Sequence, residues 1–220
     1  MTTVKDVRNA VRPLIERRND LISTGRYVFI KPVRHLLLGV YIGSSIDPSV
    51  FVPKISVQLL APKTDIKTLG WGMRFRQANY GEYIRKSGWT MNKPEIIAQM
   101  LDIIEGALPA LYAIASLDDY FAYLSAMSVP EVSSTTIELF EVLIPAMKGE
   151  FDIALSFLQK NRSVAEHVDR LSPEFYPALL AGDRAEIARI LHEWEAITVK
   201  TYKIEKIWER TPFPLELQDG

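Results

Sequence analysis

Apolar positions along this chain change their spacing more than once, and each change marks an element. Val4, Val7, Val11, Leu14 and Ile15 recur at three- and four-residue steps behind Thr3 and Asp6, a capping-box pair, and predict an amino-terminal helix. Pro13 lies within that stripe and is expected to kink or divide it. From Gly25 the spacing shortens. Tyr27 to Lys31 is aromatic and β-branched, and Leu36 to Ile42 is almost continuously apolar, as in a strand covered on both faces. Ile55, Val57 and Leu59 alternate with Lys54, Ser56 and Gln58, which predicts a strand with one wet face. Trp71, Met73 and Phe75 alternate with Gly72, Arg74 and Arg76 in the same way. Pro32, Pro48, Pro53 and Pro62 punctuate these runs and limit strand length. The intervals leave no room for crossover helices, so an antiparallel meander of about four strands is expected.

Between Pro94 and Leu124 the helical period returns. Ile97, Met100, Leu101, Ile104, Leu108, Leu111, Tyr112 and Ala115 form one broad apolar face. Asn92 with Glu95 is expected to cap this helix, Gly106 and Pro109 to break or kink it, and Ser116 with Asp119 to restart it. Residues 128–136, rich in Ser, Thr and Pro, read as a linker. The pattern then stays helical. Thr135/Glu138, Ser163/Glu166 and Asp183/Glu186 are capping-box pairs, and Pro173 after Ser172 suits a first helical position. A long last helix is expected from Ile187 through Trp194 to Trp208, ended by Pro212 and Pro214. Two stretches beginning at Gly149 and Gly182, 33 residues apart, look alike, but two copies do not make a repeat array. The fold class predicted is α+β: an N-terminal helix, a small antiparallel β meander, a central apolar helix and an α-helical C-terminal extension. An α+β domain over 1–128 is expected, with the helical region 129–220 packed on it.

Composition changes this picture in two ways. The absence of cysteine excludes disulfides and thiolate chemistry and favours a reducing compartment. With Lys5, Asp6, Arg8 and Arg12 interrupting the N-terminus and only twelve uncharged residues from Gly106 to Leu117, neither a secretory leader nor a membrane span is expected. A cytoplasmic protein with no membrane partner is the expectation. The net charge of −1 conceals a division: residues 1–89 hold 15 basic and 6 acidic residues, and residues 90–220 hold 11 and 21. The basic half could meet a polyanion, or the two halves could neutralise one another.

Candidate chemistry is sparse. His35, His167 and His192 share no element, and His192 with Glu195 reads as a surface pair one helical turn apart. No nucleophile elbow, phosphate loop or dinucleotide fingerprint occurs, so no catalytic, metal or cofactor-binding residue is assigned and no cofactor is expected. Asp118 and Asp119 suit the first turn of a helix. The richest constellation is Trp71 to Trp89, where aromatic residues interleave with Arg74, Arg76, Arg85 and Lys86, opposed only by Glu82. If Phe75 faces the core, Arg74 and Arg76 face the other way, with Lys54 and Gln58 on the same open face. The candidate interaction surface is therefore Arg74, Arg76, Tyr80, Tyr83, Arg85 and Lys86. It suits a protein partner, for which Arg, Tyr and Trp are favoured anchors, or a nucleic acid held by phosphate contacts and stacking. Against both stands core tryptophan with solvated arginine.

Val57–Leu60 (Val-Gln-Leu-Leu), Trp-Gly-Met-Arg at 71–74, Trp89 and Glu-Gly-Ala-Leu-Pro-Ala-Leu at 105–111 together resemble a bacterial family, the domain of unknown function 4304 type, over residues 1–125. The resemblance implies an N-terminal helix, a β meander and following helices, and it brings no activity or catalytic residue. The expected function is a non-enzymatic protein-interaction module, regulatory or immunity-like. The alternatives are a nucleic-acid binder using the basic half, or an enzyme assembled from residues distant in sequence.

Overall fold

The capping box at Thr3 is formed. Thr3 Oγ1 accepts from the Asp6 amide at 3.2 Å, and Asp6 Oδ2 accepts from the Thr3 amide at 2.7 Å. It opens α1 (Val4–Arg17), which runs through Pro13 undivided and buries Val7, Val11 and Leu14. The computed structural model describes residues 2–67, 74, 75, 88–126 and 134–217, leaving out the side chains of 134–136. Two compact units result. The first comprises Met1–Gln58, Thr68–Ala113 and Lys206–Glu209; the second comprises Leu59–Lys67, Ile114–Glu205 and Arg210–Gly220. The class is α+β, as the spacing predicts.

In the first unit, α1 is followed by β1 (Leu21–Thr24), β2 (Tyr27–Ile30), β3 (Leu36–Ser44), β4 (Val50–Leu59) and the two-residue β5 (Trp89–Thr90). They lie in sequence order in one antiparallel sheet, a meander. Thr24 pairs with Tyr27, which leaves Gly25 and Arg26 as a two-residue loop. Gly25 has φ +63°, the conformation a type II′ hairpin asks of its first loop residue. Gly39 lies opposite Phe29, and a β-carbon there would sit 2.1 Å from the Val28 carbonyl oxygen. Tyr27 and Phe29 stack at 4.9 Å beside it.

β4 departs from expectation. It runs through Pro53, and Ser56 and Gln58 are buried together with Val57 and Leu59, so the wet face is missing at this end. Alternation in sequence reports the polarity of side chains and not what covers them. Pro53 lacks only a donor; its carbonyl accepts from the Phe75 amide at 3.1 Å.

α2 (Pro94–Tyr112) carries the centre of the predicted apolar face, burying Met100, Leu101, Ile104, Leu108 and Leu111, while Tyr112 is exposed and Ala115 lies exposed beyond the helix. Its cap is not Asn92: the N-cap is Lys93, without a side-chain bond, and Pro94 supplies a preset φ at the first position. Gly106 and Pro109 do not break it. Both are exposed, so the packed face opposite stays whole and outweighs their poor propensity. α1 and α2 are tied by Arg17 Nε donating to Glu105 Oε2 at 2.8 Å.

The second unit begins its helices with α3 (Leu117–Ala126), capped as predicted by Ser116 and Asp119. α4 (Ser134–Lys148), α5 (Phe151–Lys160), α6 (Arg162–Leu171), α7 (Phe175–Ala181) and α8 (Arg184–Tyr202) follow; of the expected linker, 128–133 lies outside the described residues. Ser163 does not cap α6. Asn161 takes the N-cap without a side-chain bond there; its side-chain Nδ2 donates back to the Phe157 carbonyl at 2.8 Å. Pro173 precedes α7 by two residues and is not its first.

The likeness of the Gly149 and Gly182 stretches has a structural cause. Both glycines are left-handed, at φ +79° and +65°. Each closes a helix with paired bonds, Gly149 to Ala146 and Glu150 to Pro145, Gly182 to Leu179 and Asp183 to Ala178. Each is then followed by an acidic residue and a new helix.

α8 buries Ile187, Leu191, Trp194 and Val199, with Phe175 stacked on Trp194 at 5.3 Å. It ends sooner than its apolar stripe. Lys203 turns left-handed at φ +59°, and the amides of Lys203 and Ile204 close the last turn on Lys200 and Val199. Trp208 belongs to the first unit, where it bridges Val33 in parallel.

Candidate functional site

Of the six residues predicted to form an interaction surface, Arg74 lies within the described residues; Arg76, Tyr80, Tyr83, Arg85 and Lys86 lie outside them. Arg74 is exposed and Phe75 buried, the inside–outside split that the alternation predicts. Arg74 bridges Lys54 of β4 in antiparallel register, which places the two side chains on one side of the sheet. Lys54 Nζ stands 5.9 Å from the centre of the Tyr41 ring, so an aromatic residue does join the basic ones. That residue was hidden in the aliphatic run of β3; a tyrosine interrupting such a run was the available signal. Gln58 is not part of this strip, being buried. Trp89 is core, fully buried in β5.

A second constellation lies on α8, where sequence reasoning expected a surface pair. His192 and Glu195 are both buried, at 7% and 1% exposure. His192 Nδ1 faces Glu195 Oε2 at 3.3 Å, and its Nε2 faces Glu216 Oε2 at 2.9 Å. Glu216 belongs to a single 3-10 turn (Pro214–Glu216) and also accepts from the Phe213 amide at 2.6 Å. The buried Phe213 ring covers the imidazole with centroids 4.7 Å apart. The hydrogen bond to Glu195 holds the His192 pKa above its ordinary value; burial opposes this, Glu216 adds to it and the charge of Arg210 works against it. The pairing with Glu216 spans 24 residues, which is why spacing along one helix could not reveal it.

Above this centre is an open groove of about 490 Å³, lined by Arg184, Arg189, Arg210, Leu215, two alanines of α8, His192 and Glu216. Arg184 Nη1 donates to the Leu215 carbonyl at 3.0 Å, with its guanidinium 5.5 Å from the Phe151 ring. Arg189 forks onto Glu186 at 2.8 and 2.7 Å and reaches Glu193 at 3.1 Å. Arg210 is exposed and makes no hydrogen bond or ion pair with another described residue.

Another polar cluster joins α1 and α2, where Arg18 approaches Glu105 at 3.6 Å. Arg18 forks onto Asp20 with two bonds of 2.9 Å and donates to the Tyr112 hydroxyl at 2.8 Å, while that hydroxyl donates to Asp20. Arg18 holds the Asp20 carboxyl well below the usual range. Burial, then the bond to Asp20, pushes Tyr112 up to about 12. Among the described residues no group of three or more His, Asp or Glu side chains is placed to hold a metal ion, and no helix is long and apolar enough to cross a membrane.

Compared with protein-family models, curated proteins and solved structures, the chain matches none.

Proposed function

We propose that this chain is a non-enzymatic protein-interaction module, cytoplasmic and regulatory or immunity-like, which meets its partner through the strip Tyr41–Lys54–Arg74. The observation that carries this reading is the exposed Arg74 standing beside Lys54 on the same side of the sheet, with Phe75 anchoring the segment from behind. Arg and Tyr are favoured anchors at protein interfaces, and here an exposed Arg74 stands beside a lysine whose ammonium lies over the Tyr41 ring. The family resemblance adds a layout to this proposal and no activity. Partners captured from a lysate, identified and then purified, should bind the chain directly, and Arg74→Glu should weaken that binding at least about tenfold. Capture without direct binding, or affinity indifferent to Arg74→Glu, would sink the proposal.

The charge of residues 1–89, 15 basic against 6 acidic, favours a second reading in which the same strip holds a nucleic acid. The two separate on salt. Phosphate contacts make log affinity fall linearly with log salt, so a nucleic acid would lose its hold steeply between low and physiological ionic strength.

A further inference from the structure

The groove over His192 has features that the interaction strip does not use. Its lining brings three guanidinium groups together against one carboxylate, that of Glu216. Glu216 accepts through Oε2 from both the imidazole and the Phe213 amide, and its charge is opposed there by the imidazolium. The floor is a buried imidazole between two carboxylates, which only its charged form satisfies at both nitrogens. Arg189 is balanced by Glu186 and Glu193 on its own helix. Arg184 is oriented by the Leu215 carbonyl and Phe151, while the exposed Arg210 lines the same space with no hydrogen bond or ion pair to a described residue. The walls beside them are apolar: Ala185, Ala188 and Leu215. A volume of about 490 Å³ matches a small molecule and not a macromolecular surface.

We propose that this groove binds a small organic oxyanion, its anionic end between Arg184 and Arg210 and its apolar body against Ala185, Ala188 and Leu215. Guanidinium forks match the planar edge of a carboxylate and the face of a phosphate, and both are drawn to this charge. The buried imidazolium acts from below as fixed positive charge, since its own donors are already engaged. The segment holding Glu216 and Leu215 forms one wall, so occupancy should also reinforce the clasp between that segment and α8. The site is independent of the Tyr41–Lys54–Arg74 strip.

Phenyl phosphate, inorganic phosphate and benzoate are suitable probes, titrated into the full chain while the imidazole NMR signal of His192 is followed. Phenyl phosphate or benzoate should shift that signal saturably, with Kd of about 1 mM or tighter, and inorganic phosphate, lacking the apolar body, should bind more weakly. A phenyl phosphate response assigns the site to phosphate esters; a benzoate response assigns it to carboxylates. Arg210→Gln should weaken binding at least about tenfold and Arg210→Lys, which keeps the charge and loses the fork, by less. Arg210 is exposed, so both variants should keep the wild-type far-UV circular dichroism. Arg74→Glu should leave this binding unchanged, which separates the site from the protein-binding strip. No saturable shift with any probe, or the same affinity in Arg210→Gln, overturns the proposal.

Discussion

Replacing His192 with leucine asks how much the buried centre on α8 contributes. Both ring nitrogens face carboxylate oxygens, at 3.3 and 2.9 Å. Neutral imidazole has one N–H and one lone pair, so in that form one nitrogen would face a carboxylate lone pair to lone pair. The folded state therefore favours the imidazolium. Leucine fills comparable space against Phe213, which confines the loss mainly to the polar contacts. Hydrogen bonds to charged groups contribute about 1.5–3 kcal/mol each, and the longer contact belongs at or below the bottom of that range. Removing one partner of a buried ion pair costs about 3–5 kcal/mol. Glu195 is 1% exposed and loses the imidazole contact where water cannot replace it, whereas the Glu216 side chain, 30% exposed, recovers part of its loss from water. A penalty of about 3 kcal/mol at about pH 6 follows.

The sign of the pH dependence is fixed by the same contacts. The folded-state pKa of His192 lies above the ordinary value, chiefly through Glu195, with Glu216 adding and burial and Arg210 opposing. The contribution is then complete below the unfolded value of about 6.5 and is lost as pH rises through the folded value. Urea unfolding of wild type and His192→Leu at about pH 6 and about pH 9 measures both quantities, and the gap between them should narrow at the higher pH. His35 and His167 are present in both proteins and cancel. A penalty under about 1 kcal/mol at the lower pH, or one equal at the two pH values, refutes the reasoning.

Two backbone predictions follow from glycines. Gly39→Ala places a β-carbon 2.1 Å from the Val28 carbonyl oxygen, where backbone and not a flexible side chain must yield. It should lower stability by about 3 kcal/mol or more in chemical denaturation, and a near-neutral result would mean that β2 and β3 are spaced more widely than described. Gly106→Ala should do the opposite. It is exposed inside continuous helix with nothing within 4 Å of the added carbon, so a gain of about 0.5–1 kcal/mol is expected, and a loss would show that α2 is broken there.

Several elements were legible because their cause is local. Thr3 with Asp6, Ser116 with Asp119, and Asp183 with Glu186 satisfy amides three residues away, and all three caps form. The meander was legible from short intervals, and the outward turn of Arg74 from its neighbour Phe75. Where local signals competed, expectation failed. Gly106 and Pro109 argued for a break, but the apolar face from Met100 to Leu111 holds α2 together. The stripe from Ile187 to Trp208 argued for one long helix, but Lys203 turns left-handed and Trp208 is taken up by Val33.

Local periodicity and capping chemistry thus determined the α+β class, the order of elements and the starts of α1, α3 and α8, since each depends on residues within one turn or one pleat of each other. Burial along β4, the capture of Trp208 by Val33 and the joining of His192 to Glu216 were decided by tertiary structure. Each rests on which distant segment comes to cover or pair with a residue, and hydrophobic spacing carries no record of the partner. The same limit explains why a buried charged centre on α8 reads, in sequence, as an ordinary surface pair.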